Sequence, residues 1–503
     1  MSDPDAGVAD AGVGAARIRR SLVLSFAEKY ASTAIQFVAS MIVARLITPQ
    51  AFGIFAIAFA IVGFAHVIRE MGVNGYLVQR ETLKPAHIRA ALFATAVVAW
   101  SLGFILIAAG PVVGALYGDD VRRAELVLSL SLFVQPISST IFAVLQREMD
   151  FAALLRINVA GVTVNALCAV GLSFAGWSYL GLAWASVIGQ TATSLVAACY
   201  RAERAHYMPS IRGAGEVFRF GSPIMLSSLL HQFSTNIANL ITARFVTLDA
   251  IGLFGRAQTV TGLFSRLVME AVQPLVLPVL SAMRRSGQDV TRALQGSLDH
   301  IAAAAWPFFA FVGLCAEPII VVLFGPRWIG AAMLLRLMCI GGVFWIVQPV
   351  AQPMLIAMGR TRMVLRVQAI NQVIAVAGVL LAAPHGIVAV AAAAIPISAL
   401  HAVVWLVAVR GAAGLRVGRL ALTAARNVAV TLCALIGPIT VFWSLTEMAP
   451  LPRLLLAAAA LAAGWFVGIA VTAHPIGGEL RHLLRRAAWR PWRAGEAAGG
   501  LGD

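Results

Sequence analysis

The sequence predicts an all-α polytopic membrane protein of about 14 transmembrane helices, with two parallel six-helix repeats around a central cavity and two extra C-terminal helices. The chain of 503 residues is 60% hydrophobic and 12% charged, with a mean hydropathy of +0.86. A soluble chain typically carries about 25% charged residues. Apolar stretches of about 18 or more residues recur along the chain, as expected of membrane-spanning helices. A twelve-residue segment near the N-terminus also recurs 199 residues later.

Hydropathy gives the approximate limits of the spans, and some, such as Phe93–Val113, contain no charged residue. In chain order the predicted spans are 22–46, 50–70, 89–117, 122–146, 153–175, 179–200, 217–246, 250–282, 294–323, 329–358, 364–382, 386–409, 423–445 and 453–473.

The basic residues indicate the orientation of these spans. With an even number of spans and both termini in the cytoplasm, 28 of the 38 Lys and Arg residues fall in cytoplasmic segments. This bias is the positive-inside rule, and it predicts that both termini are cytoplasmic.

The net charge of +16 does not indicate a nucleic-acid partner, because the basic residues form short clusters between apolar runs. The five cysteines are scattered and lack the spacing of a metal site or a disulfide framework. The sequence therefore predicts no metal, no cofactor and no nucleic-acid partner.

Two copies of one unit explain the internal repeat. Ala44–Phe55 (ARLITPQAFGIF) and Ala243–Phe254 (ARFVTLDAIGLF) share six of twelve residues. VQPI at 134–137 is echoed by VQPV at 347–350, an offset of 213 that also relates Arg147 to Arg360. LRIN at 155–158 is echoed by LRVQ at 365–368, an offset of 210. Six spans per copy give both copies the same orientation in the membrane, an arrangement found in transporters. A shared packing unit without a transport role is the alternative.

The repeat and the charge clusters set the predicted domain limits. These are a cytoplasmic N-terminal tail (1–21), an N-terminal six-helix bundle (22–200), a cytoplasmic linker (201–216), a C-terminal six-helix bundle (217–410), helices 13 and 14 (411–473), and a basic cytoplasmic tail (474–503).

A polar line follows the first helix, where Glu28, Ser32, Gln36 and Ser40 recur every four residues beside Lys29. Residues four apart lie on one side of a helix. The seventh helix carries a corresponding group at His231, Gln232, Thr235, Asn236 and Asn239. Polar groups in a membrane must face protein or a water-filled cavity, so both faces are candidate cavity linings. The alternative is hydrogen bonding between packed helices, worth about 0.6 kcal/mol for each bond.

The eighth helix adds Arg256, Arg266 and Glu270 within a largely apolar segment. Arg266 and Glu270 are four residues apart and can pair on one face. Arg256 has no local partner in the sequence. It either faces a cavity, where its planar donors would suit a phosphate or carboxylate, or extends to water at the outer end of the helix.

Known catalytic motifs are absent from the sequence. There is no GxxxxGK[ST] phosphate loop, and HExxH, GxSxG and dinucleotide-type glycine motifs do not occur in a suitable context. No filter-like re-entrant loop indicates a channel. The sequence therefore favours a transporter over an enzyme.

The residues ARLITPQAFG (44–53), EMGVNGYLVQR (70–80) and IGLFGRAQTVTGLF (251–264) resemble the polysaccharide transporter branch (Wzx-type) of the MOP flippase superfamily. The resemblance implies a flippase that moves undecaprenyl-pyrophosphate-linked oligosaccharide repeat units across the bacterial inner membrane, for exopolysaccharide, capsule or O-antigen synthesis. It also implies alternating access coupled to an ion gradient, with H⁺ or Na⁺ as the ion and a polysaccharide polymerase complex as a partner. Cationic residues of such a cavity are expected to meet the anionic substrate, and here Lys29, Arg256, Arg266 and His231 are the candidates.

Two other functions stay open from the sequence. A drug or metabolite antiporter of the related MATE type would need a buried carboxylate cation site, for which helix 1 offers Glu28 beside Lys29. A membrane scaffold without transport activity is the other. A lipid II flippase of the same superfamily is a further variant of the first function.

Overall fold

The computed structural model describes most of the chain as helix. Its described residues are 27–70, 73–80, 82–200, 208–222, 240–269, 290–413 and 417–478, together with positions 276, 280, 283 and 286. Within these ranges there is no β-strand, which agrees with the predicted all-α class.

Eighteen helices are labelled here in chain order. They are α1 (27–46), α2 (Pro49–Glu70), α3 (Val73–Gln79), α4 (Pro85–Tyr117), α5 (Asp119–Ser129), α6 (Ser131–Arg147), α7 (Phe151–Phe174), α8 (Ser178–Tyr200), α9 (214–222), α10 (Leu248–Phe264), α11 (Val290–Leu314), α12 (Ala316–Phe324), α13 (Ala331–Trp345), α14 (Gln348–Ala357), α15 (Thr361–Ala382), α16 (Ile387–Ala413), α17 (Val417–Ser444) and α18 (Pro450–Val471). A π-helical turn, Ser265–Met269, follows α10, and 3₁₀ turns lie at Pro326–Trp328 and Ala383–His385.

Eleven stretches of the described residues are long and apolar enough to cross a membrane. They correspond to predicted spans 2–6 and 9–14. The fourth span consists of α5 and α6, which meet at Leu130, and the tenth consists of α13 and α14. Predicted spans 1, 7 and 8 lie partly outside the described residues, so the total of 14 stays a prediction.

The chain forms two compact units. The first contains the described residues up to Arg256, with Leu323–Trp328 and Val379–Val390. The second contains Ala257–Val322, Ile329–Gly378 and the described residues from Ala391 onward. The domain limits derived from the sequence remain predictions.

The corner that begins α2 has the same hydrogen bonds as the corner that begins α10. The Thr48 hydroxyl accepts from Ala51 N–H at 3.3 Å, and the Thr247 hydroxyl accepts from Ala250 N–H at 3.3 Å. Such bonds satisfy one of the free N–H groups at a helix start. The structure thus confirms the 199-residue repeat.

The later part of the repeat has an offset of 210, and the sequence alignment at 213 is wrong. At the end of α6, Asp150 N–H donates to Leu145 O, and at the end of α14, Arg360 N–H donates to Leu355 O. A tryptophan bond agrees, because the acceptors Phe133 O in α6 and Val343 O in α13 are also 210 residues apart. The VQP match was displaced by three residues, nearly one helical turn, so Arg147 does not correspond to Arg360.

Close contacts pack the apolar helices against one another. In the first unit, a Cβ on Gly161 of α7 would lie 1.8 Å from the Thr193 hydroxyl of α8. In the second, a Cβ on Gly464 of α18 would lie 2.7 Å from Cys433 O of α17. Small residues at such crossings let membrane helices approach closely, where dispersion contacts supply the stabilisation.

Candidate functional site

The polar line of α1 lies along a helix that is accessible on two sides. Gln36 is exposed, and Lys29, Ser32 and Ser40 are half-buried. Val38, which is 54% exposed, lies about 200° around the helix from Gln36 at about 100° per residue. One accessible side of α1 is therefore apolar and the other polar.

Glu28, at the start of this line, is paired with a neighbouring helix. Its Oε1 accepts a hydrogen bond of 2.6 Å from the Asn158 amide of α7. The bond fixes the beginning of α1 against the N-terminal bundle.

Arg256 of α10 is buried, with 1% of its surface exposed. Its Nη1 donates to the Ser40 hydroxyl at 2.6 Å. The guanidinium carbon lies 3.9 Å from the centroid of the Phe52 ring, 4.8 Å from that of Trp328 and 5.0 Å from that of Phe324. We call Ser40, Phe52, Phe324 and Trp328 the Arg256 cage.

Each wall of the cage is held in place by its own contacts. The Trp328 indole N–H donates to Ala44 O at 2.7 Å, and the Phe52 and Trp328 rings meet edge to face at 6.0 Å. Gly255 lets Phe52 come close, because a Cβ there would lie 2.9 Å from the ring. A desolvated cation–π contact contributes about 2 kcal/mol, so three rings offset a large part of the cost of burying the charge.

Two equivalent glycines bring α2 and α10 together next to the cage. A Cβ on Gly53 would lie 1.9 Å from Leu248 O, and a Cβ on Gly252 would lie 2.0 Å from Pro49 O. Both pairs of positions are related by the 199-residue repeat, so the contact is reciprocal. It sets the starts of the two helices at van der Waals distance and places Arg256 against Phe52.

The sequence left two interpretations of Arg256, a cavity-facing cation and a side chain that extends to water. In this structure the guanidinium instead faces three aromatic rings and a hydroxyl. Arg266, by contrast, is exposed in the π-helical turn after α10. Its predicted partner Glu270 lies outside the described residues, as do the five candidates of the seventh helix: His231, Gln232, Thr235, Asn236 and Asn239.

Sequence reasoning missed a buried carboxyl in the N-terminal bundle. Glu125 of α5 is completely buried, and its Oε1 accepts from the Ser129 hydroxyl at 3.0 Å. The signal was present, since Glu125 is an acidic residue inside an apolar helix. It was obscured by Asp119, Asp120, Arg122 and Arg123, which make the start of α5 look like a polar loop.

A second buried network, also missed, lies within the second unit and joins its last helices to α11. Asp299 of α11 accepts hydrogen bonds from Arg426, from the Asn427 amide at 2.8 Å and from His474 Nε2 at 3.1 Å. Ala473 adopts a left-handed φ of 46° and turns the chain so that His474 follows α18 directly into this network. The network ties α17 and the end of α18 to α11.

The ring of His474 is fixed as one tautomer. Its Nδ1 accepts from Ile476 N–H at 3.2 Å, so the proton sits on Nε2 and is donated to Asp299. Burial lowers the pKa of His474 below its usual value, and the Asp299 carboxylate opposes that change. Within the described ranges, no three His, Cys, Asp or Glu side chains come together as metal ligands would.

Comparison with known structures shows the fold. The structure of a lipid II flippase MurJ in an inward closed conformation superposes with a TM-score of 0.70 at 12% identity, covering 89% of this chain and 98% of that one. An inward-facing multidrug resistance MATE family transporter of the MOP superfamily superposes with a TM-score of 0.62 at 16% identity, covering 77% of this chain and 97% of that one. The protein therefore has the fold of MOP-superfamily transporters, as predicted.

Sequence comparison shows the family. The succinoglycan biosynthesis transport protein ExoT of Rhizobium meliloti (strain 1021) is 23% identical over 332 residues, which are 65% of this chain and 67% of that protein. The lipopolysaccharide biosynthesis protein WzxC of Escherichia coli (strain K12) is 20% identical over 313 residues, 60% of this chain and 62% of that protein. The teichuronic acid biosynthesis protein TuaB of Bacillus subtilis (strain 168) is 20% identical over 305 residues, 59% of this chain and 62% of that protein. A family model described as polysaccharide biosynthesis protein matches residues 42–333, more than half of the sequence. The chain belongs to this polysaccharide biosynthesis protein family.

Proposed function

We propose that the protein is a flippase that translocates undecaprenyl-pyrophosphate-linked oligosaccharide repeat units across the bacterial inner membrane. The observation that carries the proposal is the exposed Gln36 on the polar line of α1, within a chain of the polysaccharide biosynthesis family. A headgroup made of sugars needs hydrogen-bond partners while it crosses the membrane, whereas its lipid tail can stay in the bilayer.

The exposed side chain of Gln36 marks the side of α1 that would face the substrate. An exposed amide in a membrane-spanning helix is costly against lipid, so its side of α1 is expected to face water. The opposite side, which carries Val38, presents apolar surface suited to lipid. In this proposal the polar side lines the path of the headgroup, with the half-buried Lys29 on the same stretch of helix.

The relatives support the same class of substrate. The names of these relatives concern the synthesis of succinoglycan, teichuronic acid and lipopolysaccharide, and ExoT is named a transport protein. We further propose cytoplasmic termini and alternating access coupled to an ion gradient. The positive-inside bias of the sequence supports the orientation. In this proposal the protein moves its substrate without a catalytic step. The glycan that it moves is the repeat unit that the host cell assembles on the lipid.

Two tryptophan substitutions on α1 test the proposal. Gln36→Trp fills the polar side, while Val38→Trp adds the same volume on the apolar side of the same helix. Each variant is expressed in a strain that lacks the chromosomal gene, and surface polysaccharide and intracellular lipid-linked repeat units are measured. Gln36→Trp should abolish export and cause the repeat units to accumulate, and Val38→Trp should export normally.

The level of each variant in the membrane fraction is measured alongside, because a misfolded protein would also fail to export. Normal export by Gln36→Trp, at wild-type protein level, would remove the polar side of α1 from the transport path. Normal export by the deletion strain itself would remove the protein from polysaccharide export altogether.

A further inference from the structure

The buried carboxyl of Glu125 is placed as a proton-binding group would be. Glu125 has no exposed surface, and its Oε2 has no hydrogen-bond partner in the part of the chain that the structure describes. Among the described residues its one hydrogen-bond partner is Ser129, which donates to Oε1 at 3.0 Å and also bonds to the Glu125 backbone carbonyl at 2.8 Å. One hydroxyl is a weak complement for a carboxylate, which can accept about four hydrogen bonds.

Apolar side chains surround this part of α5. Val121, Ala124 and Leu128 belong to a buried cluster with Ile54 and Ile57 of α2. An isolated ionised carboxylate in such surroundings is far more costly than the neutral acid. The neutral acid needs one proton, which the unpartnered Oε2 is free to carry.

Among the described residues, no basic side chain is paired with Glu125. The other described titratable side chains on α5 and on the segments packed against it are Asp119, Asp120, Arg122 and Arg123 on α5, His66 and Arg69 on α2, His87, Arg89 and Tyr117 on α4, Arg147 on α6, Tyr179, Cys199 and Tyr200 on α8, and Arg244, Asp249 and Arg256 in residues 240–264. None of those described makes an ion pair or hydrogen bond with Glu125. Near the start of α5, Arg122 pairs with Asp119 at 3.5 Å, and Tyr179 donates to Asp120 at 2.7 Å.

The second copy of the repeat shows that the fold does not require a carboxyl here. With the offset of 210, Glu125 corresponds to Leu335 and Ser129 to Cys339. Leu335 is completely buried and Cys339 is 3% exposed, so the corresponding helix packs the same positions with apolar side chains. The first copy thus keeps a carboxyl and a hydroxyl where leucine and cysteine suffice for packing.

We propose that Glu125 is the proton-binding group that couples this transporter to a proton gradient, an inference that rests on the proposed transport function. The carboxylate takes up one proton from water on one side of the membrane and becomes a neutral acid when it is buried. When the helices around it separate, the acid releases the same proton to the other side. No other reactant is consumed.

Infrared difference spectroscopy of the purified full-length protein tests proton binding without any substrate. Spectra are recorded across a pH titration in lipid, and the carbonyl band of a protonated carboxyl is followed. The wild type should show a band that titrates, and Glu125→Gln and Glu125→Leu should both lose it. Glu317→Gln is the control, because Glu317 is an exposed carboxylate paired with Arg336 at 3.8 Å. A band that persists unchanged in Glu125→Gln and Glu125→Leu would overturn the proposal.

A transport measurement then tests coupling. Liposomes containing the protein and the host's lipid-linked repeat unit are given a pH gradient, and the rate of flipping is compared with and without it. The gradient should accelerate the wild type and Glu317→Gln, and the acceleration should be lost in Glu125→Gln and Glu125→Leu. Acceleration retained by both Glu125 variants would refute the coupling role. If the wild type flips no lipid-linked oligosaccharide at all, the transport function fails, while the infrared result still decides whether Glu125 binds a proton.

Because Leu335 shows that leucine fits the corresponding position, Glu125→Leu is expected to fold at wild-type yield, and its unfolding midpoint is measured beside the other variants. If Glu125→Leu does not fold, Glu125→Gln decides alone, and a titrating carboxyl band that persists unchanged in folded Glu125→Gln would overturn the proposal.

Discussion

Removing the Ser40 hydroxyl should destabilise the protein because it leaves a buried guanidinium nitrogen without its acceptor. Ser40 accepts from Arg256 Nη1 at 2.6 Å, and Arg256 is 1% exposed. A hydrogen bond to a charged group contributes about 1.5–3 kcal/mol, so Ser40→Ala should lower the free energy of unfolding by about 2 kcal/mol.

The cost should depend on the charge of Arg256. In Arg256→Met the apolar side chain still fills the Arg256 cage but needs no acceptor. Arg256→Met loses three cation–π contacts but avoids the cost of burying a cation. These two contributions are each several kcal/mol and have opposite signs, so the net change in the free energy of unfolding should be small. In the Arg256→Met background, Ser40→Ala should therefore cost less than about 0.5 kcal/mol, and the coupling energy of the cycle should be about 1.5–2 kcal/mol.

The cycle is measured by denaturant titration of the purified protein in detergent micelles. Ser32→Ala is the matched control on the same helix, since the buried Ser32 hydroxyl has no hydrogen-bond partner among the described residues and should be dispensable. If Ser40→Ala costs the same in both backgrounds, the hydroxyl does not act through Arg256 and the account of the cage is wrong.

Two further outcomes follow from close contacts and burial elsewhere. Gly53→Ala should nearly abolish folded protein in the membrane, because the added Cβ would lie 1.9 Å from Leu248 O. Gly262→Ala is the control and should be tolerated, because its Cβ would meet nothing within 4 Å. Equal yields of the two variants would contradict the close packing of Gly53 against Leu248. His474 should make the protein less stable on acidification, because the pKa of His474 is lower in the folded state than in the unfolded chain. Between the folded pKa and the unfolded value of about 6.5, the unfolded chain binds more protons than the folded protein. The free energy of unfolding therefore rises with pH across this window. His474→Gln should reduce the stability difference between about pH 5 and about pH 8, measured by denaturant titration, and an unchanged difference would assign the effect to other groups.

The sequence predicted the fold well where the pattern was local. The corners at Ala44–Phe55 and Ala243–Phe254 carry threonines and glycines whose hydrogen bonds and contacts depend on residue type, so their alignment was correct. The VQP match was displaced by three residues because apolar side chains in lipid are interchangeable, so a short match does not fix the register.

The candidate site was harder to predict, because its partners come from distant parts of the chain. The sequence shows Arg256 as a charge in an apolar run. The rings of Phe324 and Trp328, about 70 residues further on, become visible only when the chain is folded. Glu125 was missed for a similar reason, since burial depends on α2, α4 and α8 rather than on its own helix. Neither residue can be identified from the amino-acid composition or from the hydrophobic periodicity of the sequence.

Both residues nevertheless share a property that the repeat reveals. Arg256 corresponds to Ile57 in the first copy, where Ile57 lies in an apolar cluster against which Ile251 packs. Glu125 corresponds to Leu335 in the second copy. At each position one copy shows that an aliphatic side chain is enough for the fold, and the other copy carries a buried ionisable group that lowers stability unless it is compensated. A duplicated unit offers an internal comparison for every residue, and a buried ionisable group that is present in one copy only is better explained by function than by packing.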